Sequence, residues 1–154
     1  MRNYKTQMEA AKKMIITPEM KAVALKEYRT EEEIRELVAK GQVAICANKL
    51  HTCLEPNGVG SMLRTKINVN LGVSKDCKDY DVEMKKVMAA VDMGAEAIMD
   101  LSSHGNTKKK KKKLTSECPA MIGTVPVYDS VIHYQRDLAT LTAKDFIDVV
   151  RLHA

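Results

Sequence analysis

A chain of 154 residues has the length of one ordinary domain. Its 45% apolar and 29% charged residues exclude a largely disordered chain. No apolar run nears the roughly 18 residues of a membrane span, and Met1 to Lys13 lacks the apolar centre of a secretory signal, so a cytoplasmic protein is expected. The formal charge of +5 has one local source, because removing the six consecutive lysines Lys108–Lys113 turns it into −1. Aromatic residues make up 4% and tryptophan is absent, so a stacking platform for single strands is not expected, nor is nucleic acid as a partner.

The first 40 residues read as helices. Thr17-Pro18 places an N-cap before a proline suited to the first helical turn. Thr30-Glu31-Glu32-Glu33 is a capping box with acid at the helix start, followed by the stripe Ile34, Leu37 and Val38. Gly41 stands where a C-terminal cap belongs. Val43–Cys46 reads as a short buried strand, and Asn48–Ser61 as a loop with turn residues at Glu55–Gly58 and Gly60.

From Lys66 to Leu71 polar and apolar residues alternate with period two, as in a strand. Tyr80–Asp92 has helical spacing and ends before Gly94. Ala97–Leu101 is a second strand, Asn106 to about Ser116 a polar helix, and Ala120–Tyr128 a third strand bent at Pro126. A capping-box-like start at Thr142 and Asp145 opens a last helix, with Phe146, Val149, Val150 and His153 on one face. Strand and helix thus alternate through the second half, which predicts a parallel sheet with helices packed on it. Three or four strands cannot close a barrel, and the chain ends in a helix where another strand would follow.

Parallel α/β folds gather function at the C-terminal ends of their strands. Here those ends read Asn68-Val69-Asn70-Leu71-Gly72, Met99-Asp100-Leu101-Ser102-Ser103 and Thr124-Val125-Pro126-Val127-Tyr128-Asp129. Amides, hydroxyls and carboxylates there suit a polar heterocycle and a sugar, although turn and capping chemistry produces similar strand ends. His51, between a strand and a turn, is placed to reach a site, whereas His153 on its helix face reads as structural. Cys46, Cys53, Cys77 and Cys118 form no CxxC pair and read as free thiols. No metal site is expected from them. The lysine run reads first as a solvated helix face, with phosphate attraction as the alternative. The ten methionines read as core filling.

Several blocks carry a resemblance. They are Thr6-Gln7-Met8-Glu9-Ala10-Ala11, Ile15-Ile16-Thr17-Pro18-Glu19-Met20, Leu54-Glu55-Pro56 and Leu63 to Gly72. Gly94 to Ser102 and Gly123-Thr124-Val125-Pro126-Val127-Tyr128 complete the ordered set. With these the chain resembles the N-terminal part of the ThiC family of radical-SAM pyrimidine synthases. The resemblance implies an α/β fold, the first part of a (β/α)8 barrel preceded by a helical N-terminal region. Residues 1–60 would be that region with its linker, and residues 61–154 the first βα units. It implies a lyase of thiamin biosynthesis that converts aminoimidazole ribonucleotide to hydroxymethylpyrimidine phosphate, using S-adenosylmethionine and a [4Fe–4S] cluster, in a homodimer. Its substrate-binding positions fall on Asn70, Met99 and Tyr128, spaced 29 residues apart in each interval.

A sister branch, 5-hydroxybenzimidazole synthase of anaerobic cobamide biosynthesis, uses the same substrate. Ile67 to Cys77 and Pro119 to Gly123 lean towards its wording, with Val69 and Leu71 where pyrimidine synthases more often have Ala and Ile. The chain departs from the family at Cys46 (usually Pro), at Leu50 (usually Asn), along the lysine run and at His104-Gly105-Asn106. The family's Cx2Cx4C cluster motif and later histidines are not found. The expectation is therefore a fragment or a non-catalytic truncated paralogue, inactive alone, binding the nucleotide weakly and prone to self-association through exposed apolar faces and a sheet edge.

Overall fold

The computed structural model describes residues 3–153. The fold is mixed α/β and divides into two compact units. One comprises the chain up to Lys49 together with Leu54–Lys66; the other comprises Leu50–Cys53 and the chain from Ile67 onward.

The first unit packs helices α1 (Gln7–Lys12), α2 (Pro18–Glu27) and α3 (Glu31–Ala39) against a two-stranded ribbon. The Thr17 hydroxyl accepts from the Met20 N–H, and Pro18 follows where a missing N–H costs nothing. At Thr30 the capping box closes both ways: the Glu33 carboxylate accepts from the Thr30 N–H at 2.9 Å, and the Thr30 hydroxyl accepts from the Glu33 N–H at 3.2 Å. Ala10, Ala11, Met20, Val23, Ile34 and Val38 form the core. The Glu27 carboxylate is buried and accepts from the Arg64 N–H at 2.8 Å and from the Lys66 ammonium. Burial alone would raise this carboxyl, but the Lys66 and Arg64 contacts outweigh it and hold it below its ordinary value.

Strand β1 (Val43–Ile45) pairs antiparallel with β2 (Gly58–Gly60). Gly-Val-Gly carries none of the β-branched run that announces a strand, so the sequence reads this stretch as loop. The pairing comes from a long-range partner instead.

The second unit is built on a three-stranded parallel sheet ordered β3 (Asn68–Leu71), β4 (Ala97–Asp100), β5 (Met121–Thr124). Helix α4 (Tyr80–Asp92) connects the first two strands and α5 (Thr107–Glu117) the next two, so the expected alternation and parallel order hold. Ile98 is fully buried at the centre, among Met84, Val87, Leu114 and Cys118, with Val69 and Ile122 packed beside them.

One expected element is corrected. The third strand stops at Thr124, and Pro126 opens a helix, α6 (Pro126–Tyr134), rather than bending a strand. Proline at the first helical position has the right φ and no N–H to leave unpaired. Tyr128 therefore lies in the first turn of α6. Helix α7 (Ala143–His153) packs on α6, opened by Thr142 and Asp145, whose carboxylate accepts from the Thr142 N–H at 2.8 Å. Val127, Val131, Ile147 and Val150 on these two helices are exposed. No strand among the described residues pairs with the outer edge of β3 or of β5.

Candidate functional site

In a parallel sheet, residues in register on neighbouring strands share a face. Asn70 pairs in register with Met99, and Met99 with Gly123. These three residues make a row across the sheet, one position before each strand's last residue in β3 and β4. Val69, Ile98 and Ile122 form the adjacent row on the opposite face, in the helix-covered core. Asn70 is exposed and Met99 half-buried.

The row is fitted together. A Cβ on Gly123 would lie 2.7 Å from the Met99 methyl carbon and 2.8 Å from its sulfur. The thioether therefore lies across the space that glycine leaves on β5. On β3, the Asn68 Nδ2 donates to the Asn70 Oδ1 at 3.0 Å, along the same face. Gly123→Ala is expected to swing the flexible Met99 side chain aside with little loss of stability. The Met99 methyl resonance should move, while the unfolding free energy from urea titration stays within about 0.5 kcal/mol of wild type.

Behind the row, the strand ends are pinned. The ladder continues past the strands, with the Leu101 N–H donating to the Leu71 carbonyl at 2.8 Å and the Ser103 N–H to the Val73 carbonyl at 3.0 Å. The Ser102 hydroxyl accepts from the Val73 N–H, and the Asp100 carboxylate from the Ser102 N–H. The buried Glu83 carboxylate accepts from the Gly72 N–H at 3.0 Å and pairs with Lys86. Gly72 has φ +146°, and a Cβ there would sit 2.5 Å from the Ser102 nitrogen, so only glycine permits this approach of the two strand ends.

Tyr128 is placed differently from Asn70 and Met99. It leaves the strand row and stands one helical turn beyond Thr124, 47% exposed. Its neighbour Asp129, which closes the same strand end in the sequence, is buried in a polar network whose other members, Lys111 and His153, no local spacing brings to it. The His153 ring has Nδ1 2.8 Å from the Thr124 Oγ1 and Nε2 2.7 Å from the Asp129 Oδ2. Lys111 pairs with the same Asp129 oxygen, and its Nζ lies 2.9 Å from the His153 Nε2. Burial would raise the Asp129 carboxyl, but the Lys111, Thr107 and His153 contacts outweigh it and hold it below its ordinary value of 3.8. The network joins α5, β5, α6 and α7, and it anchors the turn that carries Tyr128.

The lysine run is accordingly not a uniform solvated face. Lys110 and Lys113 lie over the Tyr80 ring, with their ammonium groups 5.4 and 5.8 Å from its centre. The Tyr80 hydroxyl donates to the Lys110 carbonyl at 2.6 Å, and burial pushes this phenol up to about 12. Lys113 pairs with Asp81 at 3.5 Å. Lys108, Lys109 and Lys112 are exposed.

His51 does not reach the strand ends. It is buried, with Nε2 2.6 Å from the Cys118 carbonyl oxygen, and the Cys53 thiol donates to that same oxygen at 3.2 Å. All four cysteines are free. Among the described residues no three His, Cys, Asp or Glu side chains come together to hold a metal. In the first unit a separate cavity of about 560 Å³ is lined by Thr6, Met8, Val38, Gly41, Val43 and Ile45 among others.

Comparison with known proteins gives a consistent result. A family model described as the radical SAM ThiC family matches residues 6–154. A phosphomethylpyrimidine synthase of Alkaliphilus metalliredigens is 57% identical over 152 residues. Proteins of the same name from Clostridium botulinum and Clostridioides difficile are 55% and 54% identical over 152 residues. Each alignment covers 99% of this chain and 35% of the relative, so the chain spans about a third of the length of these proteins.

Proposed function

The chain belongs to the radical SAM ThiC family, and from that membership we propose that it supplies one wall of the substrate site of a phosphomethylpyrimidine synthase. The substrate is aminoimidazole ribonucleotide, the product hydroxymethylpyrimidine phosphate, and the pathway thiamin biosynthesis. Asn70, Met99 and Tyr128 hold the nucleotide: the amide by hydrogen bonds, the thioether by soft contact with a ring, the phenol from the start of α6. The observation that carries this reading is the register of Asn70 with Met99 at the C-terminal ends of parallel strands, where such folds bind ligands.

The names of the relatives favour the pyrimidine product over 5-hydroxybenzimidazole. The part proposed for Asn70, Met99 and Tyr128 is substrate binding, and S-adenosylmethionine with an iron–sulfur cluster is the family's radical chemistry. A cytoplasmic location and the family's homodimer belong to the same proposal, and no helix among the described residues is long and apolar enough to cross a membrane.

Calorimetric titration of the chain with aminoimidazole ribonucleotide tests the reading. Saturable binding is expected, weakened about tenfold by Asn70→Ala, the upper range for one neutral hydrogen bond. Absence of heat from a chain shown to be folded by circular dichroism would overturn it.

A further inference from the structure

We propose that Asn68 is a positioning residue that sets which edge of the Asn70 amide, oxygen or N–H, is offered to a ligand, and so the ligand chemistry that Asn70 accepts. The inference rests on the reading above, that Asn70 touches the nucleotide. Asn68 and Asn70 are two residues apart on β3, so both side chains stand on the same face. The Asn68 Nδ2 donates to the Asn70 Oδ1 at 3.0 Å. An asparagine amide has one acceptor oxygen and one donor nitrogen, and it can turn to present either. The Asn68 contact holds the oxygen, so the Asn70 Nδ2 is left on the opposite edge of the planar amide. Asn70 then presents N–H donors to the open face. Its ligand partner must be an acceptor, such as a ring nitrogen with a lone pair or a sugar or phosphate oxygen.

Substitution at 68 separates this role from a plain packing role. Asn68→Ala removes the constraint and lets Asn70 turn either way. Asn68→Asp is nearly isosteric but can only accept, so it draws the Asn70 Nδ2 towards itself and turns the oxygen to the ligand. Binding of aminoimidazole ribonucleotide is expected to fall in the order wild type, Asn68→Ala, Asn68→Asp. The steps are about threefold and then more than tenfold relative to wild type, in the range of one hydrogen bond lost and one reversed. A residue that only packs would give the opposite order, with the smaller change in the isosteric variant.

The added negative charge of Asn68→Asp would also repel a phosphate, and a second background removes that ambiguity. In Asn70→Ala the substitution Asn68→Asp is expected to change binding less than twofold. An equal loss in both backgrounds would mean that charge alone acts, and would overturn the inference. So would unchanged binding by both Asn68 variants while Asn70→Ala still weakens it, and in that case the substrate-site reading would stand. No binding by the folded wild-type chain would overturn both.

Discussion

Replacing Asp129 by alanine lowers the stability of the second unit by about 3 kcal/mol, read as a shift in the urea midpoint. The cost does not come from the lost contact alone. Lys111 is mostly buried, and without Asp129 its ammonium faces the His153 ring and the body of the protein. Removing one partner of a buried pair leaves an uncompensated charge, which costs about 3–5 kcal/mol in measured cases. The double variant Lys111→Met/Asp129→Leu should recover most of the loss, since paired apolar replacements leave no charge behind. A double variant no more stable than Asp129→Ala would contradict this account.

The same pair gives stability a pH dependence. The Asp129 carboxyl titrates below its ordinary value of 3.8 in the folded chain. Its contribution is therefore complete above that value and is lost as the pH falls through the lower, folded one. The stability difference between wild type and Asp129→Ala should shrink on acidification below about pH 4. A difference that grew on acidification would have the wrong sign.

Gly72→Ala is the second large effect expected, again about 3 kcal/mol. A methyl at this position meets backbone, the Ser102 nitrogen at 2.5 Å and the Leu101 carbonyl carbon at 2.8 Å. Backbone cannot swing aside as the Met99 side chain can at Gly123. The chain must also hold φ +146° with a side chain attached, which adds strain to the overpacking. The relief available is separation of the β3 and β4 ends, which breaks the Leu101–Leu71 and Ser103–Val73 hydrogen bonds. Nucleotide binding should be lost along with the midpoint shift, since Asn70 and Met99 stand on those two strands. An unshifted midpoint would show that the loops yield more easily than the packed ladder implies.

The sequence is legible where local chemistry decides the structure. Thr17-Pro18, Thr30 to Glu33 and Thr142 with Asp145 cap helices through contacts three residues apart, all visible in the chain. The alternation from Lys66 to Leu71 and the spacing of the helices between strands gave the parallel order. Asn70 and Met99 as neighbours followed from the repeat of one βα unit, once the family wording had singled them out.

What stayed hidden depended on distant partners. Gly58–Gly60 is a strand only because Val43–Ile45 pairs with it. Pro126 could bend a strand or start a helix, and the fold chose the helix. His153 carries an apolar pattern with Val149 and Val150, yet its ring meets Asp129 and Lys111, which no local spacing reveals. The lysine run looked uniform because charge counts do not show that Lys111 has a buried carboxylate beside it. Gly123 alone carried an unused signal, since a glycine inside a strand often marks a close approach. Here the approaching group is the Met99 thioether.

Asn70 and Met99 are proposed as the ligand-facing wall. Methionine-methyl and asparagine side-chain NMR during titration with aminoimidazole ribonucleotide tests it most directly. The Met99 methyl and the Asn70 side-chain amide are expected to shift together and saturate at one concentration, while Met8, on the cavity of the first unit, stays still. Saturable shifts at Met8 with Met99 and Asn70 unmoved would contradict it and place the ligand in the other unit.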